Sequence, residues 1–92
     1  MLWGDFEWDE AKASLNAQKH GITFVEAATA LDDPDELAFA DPVDASRIHS
    51  LVMSPRARVL LVVTTETTDR IRIISARKAL THEQRAYSQA RD

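Results

Sequence analysis

Cysteine is absent from this 92-residue chain, which excludes a disulfide framework, a thiolate metal site and a thiol nucleophile. Glycine and proline are nearly as scarce, at two and three residues. Turns are therefore few, long disordered tails are not expected, and a glycine-rich phosphate loop cannot be built. No apolar run approaches the roughly 20 residues needed to cross a bilayer. Met1 to Asp9 also lack the basic-then-apolar pattern of a secretion signal, so a cytoplasmic location is expected. The three histidines are dispersed, without a His-Glu-x-x-His pattern. Asp32, Asp33, Asp35 and Glu36 lack the spacing and glycine of a calcium loop and read as a solvated turn. No metal or other cofactor is expected. Ser75 lacks the flanking glycines of a nucleophile elbow.

What is present is a 45% hydrophobic content, enough for one small core and hence one domain over residues 1–92 without linkers. The net charge of −4 argues at first against nucleic acid, because phosphate binding draws its affinity from cations. Its distribution weakens that objection. Residues 1–44 hold eleven acids against Lys12 and Lys19, whereas the remainder holds nine bases against four acids. Such asymmetry suits a local basic site for RNA, or two surfaces for a partner of matching charge.

Phe6, Glu7 and Trp8 alternate as a short strand does, and Asp9 stands as an N-cap for a helix over Glu10 to His20. Trp8, Ala11 and Leu15 read as that helix's apolar side, and Lys19, His20 and Gly21 as its stop. Thr23 with Glu26 reads as a capping box for a second helix carrying Phe24, Ala27, Ala28 and Leu31, completing a helical hairpin. The period then changes to two, with strands expected at Leu37 to Phe39, Ile48 to Met53, Val59 to Val63 and Arg70 to Ala76 as an antiparallel meander. The unbroken apolar run Val59 to Val63 predicts a central strand covered on both faces. Thr81 with Gln84 resembles a capping box opening a C-terminal helix. The fold class is α+β.

Two stretches could carry chemistry. One is Arg70, Arg72, Arg77 and Lys78 threaded through a β-branched strand, and the other is Lys12, Asn16 and His20 at four-residue spacing with Lys19 beside them. Arginine grips phosphate oxygens through its forked donors. The pattern fits metal-free RNA cleavage, in which a 2′-hydroxyl attacks its own phosphate and the protein supplies a base, an acid and cations. His20, Glu66, Glu83, Tyr87, Lys12 and Lys19 are the available proton carriers. His49 and His82 have no acidic neighbour in sequence. A structural reading competes, in which strand arginines pair with acids of the N-terminal half. Regular alternation would put Arg72 and Arg77 on opposite faces, and a bulge near Ser75 would reunite them.

Read together, Phe6-Glu7-Trp8-Asp9-x-x-Lys12-x-x-x-Asn16-x-x-Lys19-His20-Gly21-x-x-Phe24, then Asp33-Pro34, then Arg72-Ile73-Ile74-Ser75-Ala76-Arg77-x-Ala79 with Glu83 and Tyr87, resemble the BrnT toxin family. The resemblance implies a small RelE-like domain and a metal-independent endoribonuclease toxin of a type II toxin-antitoxin pair that halts translation. It further implies neutralisation by a BrnA-like DNA-binding antitoxin, in a toxin-antitoxin hetero-oligomer that reaches operator DNA through the antitoxin. The alternative is a catalytically weak or inactive homologue that binds antitoxin and autoregulates its operon. Carried over by residue, the resemblance favours Arg77, Arg72, His20, Lys19 and Glu66 for catalysis. Lys12, Asn16, Arg58, Lys78 and Tyr87 are expected to contact RNA, and Arg47 and Glu83 also match. The chain departs from the family pattern at Arg56-Ala57-Arg58, where an arginine-glycine-arginine turn is frequent, and at Thr64, where histidine or tyrosine is common.

Overall fold

The computed structural model describes residues 1–91. The strands are β1 (Leu2–Trp3), β2 (Phe6–Glu7), β3 (Leu37–Ala40), β4 (Arg47–Met53), β5 (Val59–Glu66) and β6 (Ile71–Lys78). The helices are α1 (Glu10–His20), α2 (Phe24–Ala30) and α3 (Thr81–Arg91). The strands form one six-stranded sheet in the order β1-β2-β6-β5-β4-β3. From β3 to β6 the sheet is the antiparallel meander the period-two segments predict. At the other edge the short strand expected at Phe6 is present, but its partners were not foreseen. A two-residue hairpin, β1-β2, joins parallel to β6 through Phe6↔Ile71 and Glu7↔Arg72, so the sheet is mixed. A strand as short as β1, and a pairing made across nearly the whole chain length, leave no periodicity to read.

Helix starts follow their local chemistry. Asp9 accepts the Lys12 N–H at 3.0 Å and Thr23 accepts the Glu26 N–H at 3.1 Å, each side chain satisfying an otherwise orphaned donor. Gly21 ends α1 in the left-handed region at φ 71°. The expected box at Thr81 and Gln84 is not the one formed. Glu83 instead accepts the Leu80 N–H at 2.8 Å, one residue earlier, because the same carboxylate is also held by Arg77. The apolar side of α1 is rephased too. Ala11 and Leu15 are exposed, while Ala13 and the polar Asn16 face inward.

Alternation divides the core between the two sheet faces. On one, Val52, Leu60, Val62, Ile73 and Ala76 pack beneath α1 and α2 with Trp8, Ile22, Phe24 and Ala27. Trp8 meets Phe24 edge-on at 5.9 Å. On the other face Leu51, Leu61 and Ala79 meet Tyr87 of α3. β5 is thus covered on both sides at Leu60 to Val62, as the centre of its apolar run predicts, whereas Val63 is half-buried on the part of the face that α3 leaves open. No helix among the described residues is long and apolar enough to cross a membrane.

One irregularity governs how β6 is presented. Val63 pairs with Ser75 but Thr64 with Ile73, leaving Ile74 as an extra residue in a β-bulge. Immediately beyond it, Asn16 takes the place of a neighbouring strand. Its Nδ2 donates to the Ala76 carbonyl at 2.8 Å and its Oδ1 accepts the Ala76 N–H at 3.1 Å, while Nδ2 also reaches the Ile22 carbonyl at 3.0 Å. β2 pairs with β6 only through Ile71 and Arg72, so this carboxamide satisfies the strand's edge where no strand does.

Two outcomes follow for urea unfolding. Asn16→Ala should cost on the order of 2–4 kcal/mol, because buried backbone donors and acceptors lose their partner; an unchanged midpoint would mean that water satisfies this edge. Ala57 sits at φ 59°, in the left-handed region that suits glycine. Ala57→Gly should therefore stabilise the chain by about 1 kcal/mol; a lower midpoint would refute strain at this turn.

Candidate functional site

The bulge decides which cations share a face. Beyond it Arg77 pairs with Leu61 and Ser75 with Val63; before it Arg72 pairs with Thr65. Leu61, Val63 and Thr65 alternate on β5, so Arg72, Ser75 and Arg77 project from one face, the side that carries α3. Across the next pairing the same face receives His49 opposite Val63 and Arg47 opposite Thr65, and then Phe39 opposite His49. α3 covers only the end of this face near Leu51 and Leu61. The remainder is an open surface of Arg47, His49, Phe39, Val63, Thr65, Arg72 and Ser75, each half-buried or exposed.

His49 has the acidic partner that sequence order concealed. Its Nε2 lies 2.7 Å from Asp41 Oδ2. Asp41 is itself fixed by its own turn, its Oδ1 accepting the Val43 and Asp44 N–H groups at 2.8 and 2.9 Å. The Asp44 N–H, the His49 hydrogen bond and the Val43 N–H together hold the Asp41 carboxyl down to about 2. With Nε2 directed at the carboxylate, a neutral His49 ring carries its lone pair on Nδ1, the arrangement of an oriented general base. The Phe39 ring lies 5.4 Å from His49. The sequence signal was present in retrospect, since the Asp41-Pro42 turn folds β3 back on β4 and returns residue 41 towards residue 49.

The arginines are paired but not equally engaged. Arg72 Nη1 donates to Glu7 Oε2 at 2.8 Å and leaves its other donors open. Arg77 grips Glu83 with both terminal nitrogens at 2.8 and 3.1 Å and also donates to the Lys78 carbonyl. The Arg77 hydrogen bond keeps the Glu83 carboxyl below the usual carboxylate range. Five of the six ion pairs among the described residues join a base beyond residue 44 to an acid within residues 1–44, so the divided charge is also structural.

Other expected site residues lie elsewhere. Lys12, Lys19 and His20 surround a hollow of about 240 Å³ beside Ile74 and Ser75, next to the bulge. Asn16 borders that hollow, but its carboxamide is committed to backbone, which corrects its expected RNA contact. Tyr87 is corrected likewise. Buried at 1% exposure, it packs with Leu51 and Leu61 and donates its hydroxyl to Asp33. Arg58 is held by both Glu26 oxygens at 2.8 and 2.6 Å and tethers the β4-β5 turn to α2, so an RNA contact there would have to break that clasp. The Arg58 hydrogen bond correspondingly keeps the Glu26 carboxyl low. Glu66 pairs with Ile71 and lines a cavity on the α2 side, so it does not join the arginines. Lys78, opposite Leu60, is exposed at the end of β6. Thr64 also faces the α2 side, away from Arg72 and Arg77. The acidic group at 32–36 is only partly a solvated turn, because Asp33 accepts the Met53 N–H as well as the Tyr87 hydroxyl.

A family model described as ribonuclease toxin, BrnT, of type II toxin-antitoxin system matches residues 8–83. No curated protein matches the chain by sequence. Among solved structures, the crystal structure of the Brucella abortus ribonuclease toxin, BrnT, is similar in fold. It matches with a TM-score of 0.67 and 24% identity, over 83% of this chain and 96% of that one.

Burial and the bond to Asp33 push the Tyr87 phenol from 10.0 up to about 12. A raised folded value means that the stability this group contributes is complete below the unfolded value and is lost as pH rises through the folded one. Thermal midpoints should therefore fall between about pH 10 and 12, and Tyr87→Phe should flatten that fall; an identical alkaline profile in the variant would remove Tyr87 as its cause.

Proposed function

The chain belongs to the BrnT family of ribonuclease toxins of type II toxin-antitoxin systems, and on that footing we propose that it cleaves RNA without a metal ion on the sheet face whose open part bears Arg72 and His49, with Arg77 at its border with α3. The reading takes residues 1–92 as one RelE-like domain whose first two helices form a hairpin, acting in the cytoplasm. Its partner is a BrnA-like DNA-binding antitoxin, which holds it in a hetero-oligomer and brings it to operator DNA. The observation that carries the proposal is the bulge at Ile74, which gathers both arginines onto the face that holds the His49–Asp41 pair.

The chemistry balances with these groups. His49 Nδ1 takes the proton of the 2′-hydroxyl as O2′ attacks phosphorus, and Asp41 stabilises the imidazolium that forms. The P–O5′ bond breaks, leaving a 2′,3′-cyclic phosphate and a 5′-oxygen that must receive a proton. The imidazolium can return it, or an acid on the rim can supply it. Arg72, with open donors, neutralises charge on the non-bridging oxygens; Arg77 does so by exchanging a carboxylate of Glu83 for phosphate. The Cα atoms of His49 and Ser75 stand two strand spacings apart, about 10 Å, a span that a phosphodiester flanked by long side chains can bridge. Exposed Phe39 offers a surface for a base to stack on. Lys12 and Lys19, around the bulge edge, extend the cationic track, and His20 lies beside them.

The ion pairs of Arg72 with Glu7 and of Arg77 with Glu83 favour a second reading, an inert antitoxin-binding homologue whose arginines are structural. Cleavage of RNA by the purified chain in EDTA separates the two. The first reading expects cleavage undiminished by EDTA and lowered about 10²-fold or more in His49→Ala and Arg72→Ala, with unfolding midpoints retained. Unchanged cleavage in both variants would clear this face of the reaction, and no cleavage by the parent chain would favour the inert homologue.

A further inference from the structure

On the sheet face opposite Arg72 and His49, where α2 ends, a cavity of about 440 Å³ lies between the loop at Asp32, β3 and the far ends of β4 and β5. Four carboxylates line it, from Asp5, Asp32, Glu36 and Glu66, and no basic side chain does. Its walls are also apolar, with Phe6, Leu31, Ile48 and Ile71 exposed to the space. The carboxylates are not gathered as a metal site, since no group of three or more acids or histidines among the described residues could hold an ion.

The second observation lies deeper. Ser50 and Thr64, at 1% and 7% exposure, both line the cavity. Among the described residues neither hydroxyl has a hydrogen-bond partner, and no buried side-chain polar atom is sealed away without one. Their hydroxyls therefore open onto the cavity and are left for its occupant. A buried hydroxyl without a partner is costly, so such an arrangement favours a polar group arriving from outside. Carboxylates at the mouth, apolar walls and hydroxyls at the floor together match a lysine or arginine side chain, whose apolar stem lies along hydrophobic surface while its head donates hydrogen bonds.

We propose that this cavity is where the antitoxin docks, through a lysine or arginine flanked by apolar side chains. The proposal rests on the toxin-antitoxin reading, and it deepens it by separating the two surfaces. Phosphates are repelled from this side by the carboxylates and drawn to the arginine side. The antitoxin contact in the cavity and the RNA contact thus occupy opposite faces of one sheet.

Calorimetric titration of the full chain with its cognate antitoxin tests this. Asp32→Lys/Glu36→Lys, at two exposed positions, should weaken binding on the order of tenfold or more and leave RNA cleavage at the parent level. Ala38→Trp, which fills the cavity without changing charge, should weaken binding as well. Arg72→Ala should leave antitoxin affinity within about twofold. Antitoxin affinity unchanged in both cavity variants would overturn the proposal. So would a dimer of the free chain that the charge-reversed variant dissolves, because the occupant would then be a second copy. If the parent chain cleaves no RNA yet the cavity variants lose the antitoxin, the docking site stands and the catalytic reading falls.

Discussion

The carboxamide of Asn16, bonded to both backbone groups of Ala76, is the contact on which the rest of this structure turns. A strand that holds an extra residue and has no strand on one side beyond Arg72 is weakly specified there, because a one-residue slip would move every later side chain to the other face. Here the residue just past the bulge is gripped from a helix sixty positions away in sequence, and the same side chain holds the loop carbonyl of Ile22. The register beyond the bulge is thereby fixed to α1, and α1 in turn packs on β6. Had the strand run regularly, Arg72 and Arg77 would have looked to opposite sides of the sheet.

That single register decision gives the molecule two chemically distinct faces. One bears arginines, a histidine and an exposed aromatic ring beyond the reach of α3; the other bears, beyond the reach of α2, carboxylates around apolar walls. The charge asymmetry between the chain's two halves is not simply a dipole of the whole protein. Most ion pairs stitch the halves together, and the cations of the arginine face are among the paired groups, whereas the four acids of the cavity are in no ion pair among the described residues. These pairs are mostly half-exposed, and their part is to orient side chains more than to add stability.

Much of the fold was legible from residues alone. Asp9, Gly21 and Thr23 marked helix ends because capping acts within a few residues, and the apolar run at Val59 to Val63 marked a central strand because burial on both faces removes alternation. Of the β1-β2 hairpin only the strand at Phe6 was legible, from its alternation; β1 carries no period and the pairing with β6 is non-local. The site was legible in part for the same reason. Arg72 and Arg77 stood out by composition, and even the need for a bulge near Ser75 followed from alternation. Asn16 and Tyr87 read as ligands because polar groups at helical spacing look alike whether they face solvent or satisfy buried backbone. His49 read as bland because its carboxylate arrives across a turn. Glu66 read as a partner of the arginines because sequence proximity hides a change of face.

The central claim is that RNA is engaged on the bulge-defined arginine face. Amide chemical-shift mapping with an oligonucleotide that lacks the attacking 2′-hydroxyl tests it directly, because binding can be watched without turnover. The account predicts that the largest changes fall on Arg47, His49, Thr65, Arg72, Ser75 and Arg77, with smaller ones along Lys12 and Lys19. Changes confined to α1, or centred on Glu36 and Glu66 on the opposite face, would contradict it.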